Sequence, residues 1–417
     1  MASRVLLQLT NTIHQRTAQV DAYIQANGLP EPSFDPSYPP ILRLSPEIDA
    51  ARNAALEAID ELRAHLLGPL GLVMEHIGEM SQLVSLHGIT HFGIPAALPA
   101  DGTPIQVTDL ASKTGMHIDD AKSLVRHASS RHLLHYLPGG LVSHSAASKA
   151  IVAIPPVSSV VACTALVSKS LNSVIEVMAE SPGSQDLQKA PYSRAHNTNL
   201  SFFDHLATQP ERARQFADSM SMLMNVPQLD KEFVFAYDWA QHAEGTVVDV
   251  GGSHGNIAFP LAERFPQIKV VVQDRPEVVA TASVDRHANV AFEAHDFFAA
   301  QPRHGADVYF LRYIFHDWPE SYCVKILQGL LPALKTGARI VIMDAIVPEP
   351  GVLKGKLEWR ITASDLAMKA LFNARERTEG EWRDLIRKAE PGGMLHVVEV
   401  LQPKGSQLGF IVVEWVG

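Results

Sequence analysis

The segment Thr246-Val-Val-Asp-Val-Gly-Gly-Ser-His-Gly255 leaves a folding chain few choices. Its β-branched run reads as a buried strand, its glycines impose a tight turn, and a helical pattern over 256–264 takes over at once. Beyond it, strand-like runs at 268–273, 307–311, 338–343 and 409–416 alternate with helical patterns at 276–282, 319–334 and 380–389. This alternation predicts an α/β fold with a Rossmann-like, doubly wound, mostly parallel sheet, and a ligand crevice at its strand ends.

The glycines fall at Gly251, Gly252 and Gly255, not in the G-x-G-x-x-G spacing of a dinucleotide fold, and Asp249 sits inside the strand end. Acid-x-Gly-x-x-x-Gly suits S-adenosylmethionine (SAM) better than NAD. Gly251 and Gly255 would let the backbone approach a ligand, and Gly252 adds freedom to the same turn, although a plain strand-to-helix turn uses glycines too. The second strand ends in Asp274, 25 residues after Asp249, where a carboxylate can accept hydrogen bonds from both hydroxyls of a ribose. Capping the helix that opens at Pro276 is a compatible role. Asp296 follows 22 residues later, beside the aromatic Phe297, where it could contact adenine.

The next strand leads into Tyr309-Phe-Leu-Arg-Tyr-Ile-Phe-His-Asp-Trp-Pro319, which places an imidazole, an acid and an indole where the crevice receives its substrate. Neutral imidazole is the side chain best suited to take a proton from a hydroxyl near neutral pH, so His316 is the candidate general base. With 19 histidines in the chain, only its position singles it out. A base also needs a carboxylate that fixes its tautomer. Asp344, at the end of Arg339-Ile-Val-Ile-Met-Asp344, and Glu376, in Phe372-Asn-Ala-Arg-Glu-Arg-Thr378, are the two candidates. A surface ion pair with Arg375 or Arg377 is the alternative for Glu376.

At 417 residues the chain is long enough for two or three domains. Residues 1–44 read as a helix and a proline-rich arm with five prolines between Gly28 and Pro40. Residues 45–150 read as helices followed by a winged helix-turn-helix, with helical patterns at 45–72, 79–86, 108–115 and 117–131 and a hairpin wing at 132–144. Residues 151–242 read as a helical connector and pocket region, and 243–417 as the cofactor-binding domain. The net charge of −10, and Lys122, Arg126 and Arg131 set against Asp119 and Asp120 on the second helix, argue against a nucleic-acid partner. Cys163 and Cys323 are far apart and outside any ligand spacing, so no disulfide, zinc or other metal site is indicated and a reduced, cytoplasmic setting is the default. The N-terminus lacks a signal-peptide pattern, and no run reaches the ~20 apolar residues a membrane span needs.

With these segments in hand, the chain resembles the plant and fungal class I SAM-dependent O-methyltransferases of the caffeate/flavonoid type, particularly the fungal secondary-metabolite branch. Asp249-Val-Gly-Gly-Ser-His-Gly255, Arg312-Tyr-Ile-Phe-His-Asp-Trp318, Met343-Asp-Ala-Ile-Val-Pro-Glu-Pro-Gly351 and Glu376-Arg-Thr378 are similar to its signatures and stand in the same order. The resemblance covers the chain from about residue 45 onward. It implies that Asp274, with Arg275 beside it, holds the SAM ribose, that Asp296 and Phe297 face adenine, and that Arg312 stands near the cofactor. It implies His316 as base, flanked by Asp344 and Glu376, without metal. Phe216, Met220, Met224, Asp365 and Met368 would lie toward the pocket of a small hydroxylated acceptor, although a Met/Phe stripe is equally a core stripe. A homodimer built through the N-terminal domain is implied as well. Some fungal relatives use the same pocket for pericyclic or dehydration chemistry with SAM as a bound, unreacting element. In that reading His132, His135 or Lys369 could activate a carbonyl, while the intact His316-Asp317-Trp318 favours methyl transfer.

Overall fold

A computed structural model describes residues 4–224, 226–282, 287–352 and 355–417, and of Lys356 and Leu357 the backbone alone. The chain clusters into two units, Met1–Leu166 with Arg214–Met222, and Val167–Ala213 with Leu223–Gly417.

In the first unit a helix over Val5–Ala26 packs on a 46-residue helix, Pro46–His91. Two helices are predicted in that second stretch; the structure has one, interrupted at Gly68, whose φ of 68° breaks the ladder. Pro69 follows and restarts it, because a first-turn residue needs no N–H partner. The winged helix-turn-helix is present: strand β1 (Ile105–Gln106), helices Val107–Thr114 and Ile118–Ser130, and a wing of β2 (His135–Leu137) and β3 (Leu141–Ser143). Leu110, Val125, Leu134 and Val142 close its core. The proline-rich arm is seated on the wing. The Phe34 ring stacks on His132 at 4.0 Å, and the Phe34 carbonyl lies 3.2 Å from His135 Nε2. His132 and His135 therefore hold the arm.

The stretch Pro156–Glu180 has the length and apolar composition of a membrane crossing, against the sequence expectation of none. It is broken into two helices, Pro156–Leu171 and Val174–Glu180, which carry Lys169 and Glu176.

The second unit is built on the predicted sheet. Its strands are β4 (Thr246–Val250), β5 (Lys269–Asp274), β6 (Val290–Ala294), β7 (Val308–Arg312), β8 (Arg339–Val347), the short β9 (Arg377–Thr378), β10 (Leu395–Leu401) and β11 (Leu408–Trp415). Their order is β10-β11-β8-β7-β4-β5-β6, with β9 paired to β8. β4 to β8 run parallel, and β11 is antiparallel to both neighbours. The chain steps from β4 outward to β5 on one side and returns to β7 on the other, so the switch point falls at the glycine turn, where such sheets bind ligands. Alternate β4 residues serve opposite cores. Val247 packs with Trp239, Phe310 and Val341, and Val248 and Val250 with Leu311, Ile326 and Trp382.

Among the described residues of this unit, three strands and one helix escape the sequence patterns, and the two-residue β9 is too short to leave one. β6 and β10 are the sheet edges, where several residues face solvent and no continuous apolar run is needed. In the helix Gly355–Phe372 the apolar residues favour no single face, which removes the periodic signal.

Candidate active site

Past Val250 the chain turns through Gly251 (φ +75°), Ser253 (φ +51°) and Gly255 (φ +77°). The N–H groups of Gly251 and Gly252 both donate to the Gln273 carbonyl, at 2.7 and 3.2 Å, and tie the turn to the end of β5. A Cβ on Gly251 would approach Ile314 Cδ1 to 2.5 Å, and one on Gly252 would run into the Asp249 carboxylate. Only glycine fits either place. Asp249 is buried with Oδ2 unpartnered, and burial, opposed by Arg312, pushes its carboxyl up to about 7. A buried acid short of a partner is costly, and a donor-bearing ligand would relieve it.

Asp274 accepts from the N–H of Ser253 and of Arg275, both at 2.8 Å. Each oxygen keeps a second lone pair for a hydroxyl. The Arg275 side chain is exposed and pairs with Glu277 at 3.2 Å, so this residue serves Asp274 through its backbone. Asp296 is exposed and accepts from Phe298 N–H at 3.0 Å, while Phe297 stands edge-on to Phe298 and Trp318. Arg312 donates to the Leu229 carbonyl at 2.9 Å and to Met224 Sδ at 3.4 Å, and its Nε has no hydrogen-bond partner. Burial lowers its pKa. Glycines that admit backbone approach, acids ending successive parallel strands and unpartnered polar atoms inside form a donor set that fits a nucleoside carrying a charged amino acid, as SAM does.

His316 lies in a one-turn helix, Phe315–Asp317, just beyond β7. The two expected orienters divide the work. Glu376 Oε1 lies 3.3 Å from the ring Nδ1, and Ser364 Oγ donates to the same oxygen at 2.7 Å. Asp344 instead holds the backbone: Oδ2 accepts from Phe315 N–H and His316 N–H at 3.0 and 3.2 Å, and Oδ1 from Ala345 N–H at 3.0 Å. Ring Nε2 stands 3.5 Å from Asp317 Oδ1. Oxygen or nitrogen atoms of His316, Asp344 and Glu376 lie within 4.8 Å of one another, and a cation there would have to displace these hydrogen bonds.

Electrostatics follow from that packing. Burial alone would lower the His316 pKa, but Asp317, Asp344 and Glu376 outweigh it and hold the imidazole up to about 10. Burial works to raise the Glu376 carboxyl, while the charge and hydrogen bond of His316 and the Ser364 hydroxyl bring it below its usual value. Burial raises Asp344, and pushes Asp317 up to about 7 against the pull of His316.

Neither arginine flanking Glu376 pairs with it at the surface. Arg375 reaches Glu381 at 2.6 Å and Glu320 at 3.2 Å, and Arg377 is buried. Asp365, expected toward the pocket, accepts the Glu376 N–H at 2.8 Å and so supports the ring's partner. Met368 is half-buried on the same helix, and burial lowers the pKa of its neighbour Lys369. Met224 touches Arg312, whereas Phe216 and Met220 belong to the other unit's segment, Arg214–Met222. Tyr313 was missed. Its φ is +60°, unusual for a bulky residue, and its ring meets the His316 ring edge-on at 4.3 Å. No local pattern marks a tyrosine for left-handed backbone. Ser364 was missed because a lone helical serine carries no signal.

A family described as an O-methyltransferase domain matches residues 178–390. The grayanic acid biosynthesis cluster O-methyltransferase of Cladonia grayi is 35% identical over 423 residues, which cover 100% of this chain and 88% of that protein. Among solved structures, OxaC in complex with sinefungin and meleagrin has the same fold, with a TM-score of 0.76 at 21% identity and coverage of 97% of this chain and 99% of OxaC. A structure described as a pericyclic reaction enzyme shares the fold as well, with a TM-score of 0.72 at 22% identity over 97% of this chain and 100% of that one.

Proposed function

We propose a catalytic arrangement for this chain, which belongs to the family of SAM-dependent O-methyltransferases: His316 is the general base that takes the proton from a phenol or enol hydroxyl of a secondary metabolite. One observation carries the reading. Glu376 engages Nδ1 of a buried imidazole just beyond β7, and Nε2, 3.5 Å from Asp317 Oδ1, is the ring nitrogen that would face an acceptor. Bound SAM supplies an electrophilic methyl group. Asp274 and the Gly251-Gly252 turn would hold its nucleoside, Phe297 and Asp296 would border the base, and Asp249 and Arg312 would meet its charged end. Holding the two reactants in line contributes much of the acceleration, roughly 7–11 kcal/mol for well-oriented pairs. Met368 and Met224 would line the acceptor pocket.

In this reading residues 243–417 carry the cofactor chemistry, 151–242 the pocket and 45–150 the contact between two copies, with 1–44 as an arm. A homodimer is supported by Leu70, Val73, Ile77, Met80 and Val84. They recur at the 3-4 spacing of a helix-packing seam and are 59–74% exposed. The relative from Cladonia grayi, by its name, serves a biosynthetic cluster, which agrees with a secondary-metabolite acceptor.

The test is incubation with methyl-labelled SAM and a panel of phenols and enols. Label in the product with release of S-adenosylhomocysteine is the expected result. Product without label would instead establish pericyclic or dehydration chemistry.

A further inference from the structure

The one-turn helix that carries His316 is held on both sides. Asp344 takes its amides, as described above, and a second side chain takes its carbonyls. Arg377 Nη1 donates to Phe315 O at 3.1 Å, and Nη2 donates to Trp318 O at 3.1 Å. These carbonyls bracket the turn. The guanidinium is fixed in its own plane by a further bond to Arg375 O at 3.3 Å, by Cys323 Sγ at 3.2 Å and by the Trp382 ring, whose centroid lies 5.3 Å away. At 1% exposure, it is among the largest fully buried side chains.

We propose that Arg377 is a positioning residue for the base: of two residues adjacent in sequence, Glu376 grips the His316 ring and Arg377 grips the turn that carries it, through the carbonyls of Phe315 and Trp318. The inference rests on the reading of His316 as base. A buried arginine is expensive to desolvate, and here its charge faces Asp344 and Glu376, with which it interacts favourably. Its fork spans two carbonyls that a lysine, with one compact ammonium, cannot span in the same geometry. β9 explains why the pair acts as a unit. Arg377 pairs with Ile346 of β8 two residues beyond Asp344, so one strand segment sets the registers of Glu376, Arg377 and Asp344 together. Displacing the turn would move Nε2 relative to the acceptor oxygen while Asp274 and the Gly251-Gly252 turn keep their own hydrogen bonds. Misplacement by an ångström costs rates on the order of 10²-fold.

The test uses the full chain labelled with ¹³C-histidine and the variants Arg377→Met, Arg377→Lys and His316→Gln, the last of which assigns the His316 signal. The expected result for Arg377→Met is a kcat lower by ~10- to 100-fold, with acceptor KM and S-adenosylhomocysteine affinity within about threefold of wild type, and a displaced His316 signal. Wild-type kcat together with an unmoved His316 signal would overturn the proposal. Should Arg377→Met fail to fold, Arg377→Lys decides by the same two readouts. Normal turnover by His316→Gln would remove the base reading alone, and the His316 signal in the Arg377 variants would still decide whether the turn is held as proposed.

Discussion

Glu376 Oε1 sits 3.3 Å from Nδ1 of His316, 60 residues away in the chain, and the two side chains are only 2% and 6% exposed. A carboxylate in that place favours the tautomer with its proton on Nδ1, so that Nε2 can accept one, and it stabilises the imidazolium that results.

Removal of the ring itself has the largest expected effect on turnover. His316→Ala should lower kcat by ~10²-fold or more while calorimetry finds S-adenosylhomocysteine bound almost as in wild type. Unchanged turnover on a true acceptor would end its candidacy as base.

The charge around the ring sets a pH dependence. Asp317, Asp344 and Glu376 face the imidazole and Tyr313 lies against it, so in the free protein the ring should titrate near 10 by NMR, and because only its neutral form can take the acceptor's proton, turnover should rise with pH toward that value. Its folded pKa is raised above the unfolded value of ~6.5, so the stability it contributes is full below ~6.5 and is lost as the pH rises through about 10. Glu376→Gln removes one of the three carboxylates and should move the titration to lower pH. An unmoved titration would separate Glu376 from the ring.

Asp344 accepts three backbone N–H groups, and Asp344→Ala would leave all three without it. A loss of roughly 2–4 kcal/mol in unfolding free energy is expected, with Asp344→Asn recovering part of it. Urea denaturation of the two variants measures this, and equal stability to wild type would contradict the backbone role.

Asp249 runs the other way. Its carboxyl is pushed up to about 7, above the unfolded carboxylate value, so the folded state prefers it neutral and ionisation costs stability as the pH rises above ~4. Asp249→Asn should therefore raise Tm by roughly 2–4 °C at pH 8, with a smaller gain at pH 5. Its affinity for SAM should fall by ~10-fold or more through loss of a charged partner. A variant both less stable and equally tight in binding would refute the cradle role.

The exposed seam of the long helix gives a test independent of chemistry. Ile77→Asp with Met80→Lys should shift the protein from dimer to monomer in sedimentation, with its circular dichroism preserved. A protein that is already monomeric before substitution would dismiss the seam.

Near neighbours in the chain dictated the parallel sheet, the glycine turn with its acids and the winged helix, and they made His316 the candidate base. Strand period, positive-φ glycines and capping residues act over a few residues, so their signals survive in linear order. Edge strands β6 and β10 and the helix Gly355–Phe372 were harder, because half-exposed strands and a helix without one apolar face leave no periodic trace. The division of labour at the base was legible only once the sheet had formed. Asp344 lies 28 residues from His316 and Glu376 lies 60, and spacing alone cannot bring Glu376 to the ring. Pairing of β8 with β7 and β9 decides it, bringing Asp344 under the backbone amides and Glu376 to the ring. The same pairing takes Arg377 from a plausible surface partner of Glu376 into the interior, since a two-residue strand can be placed only by the strand it pairs with.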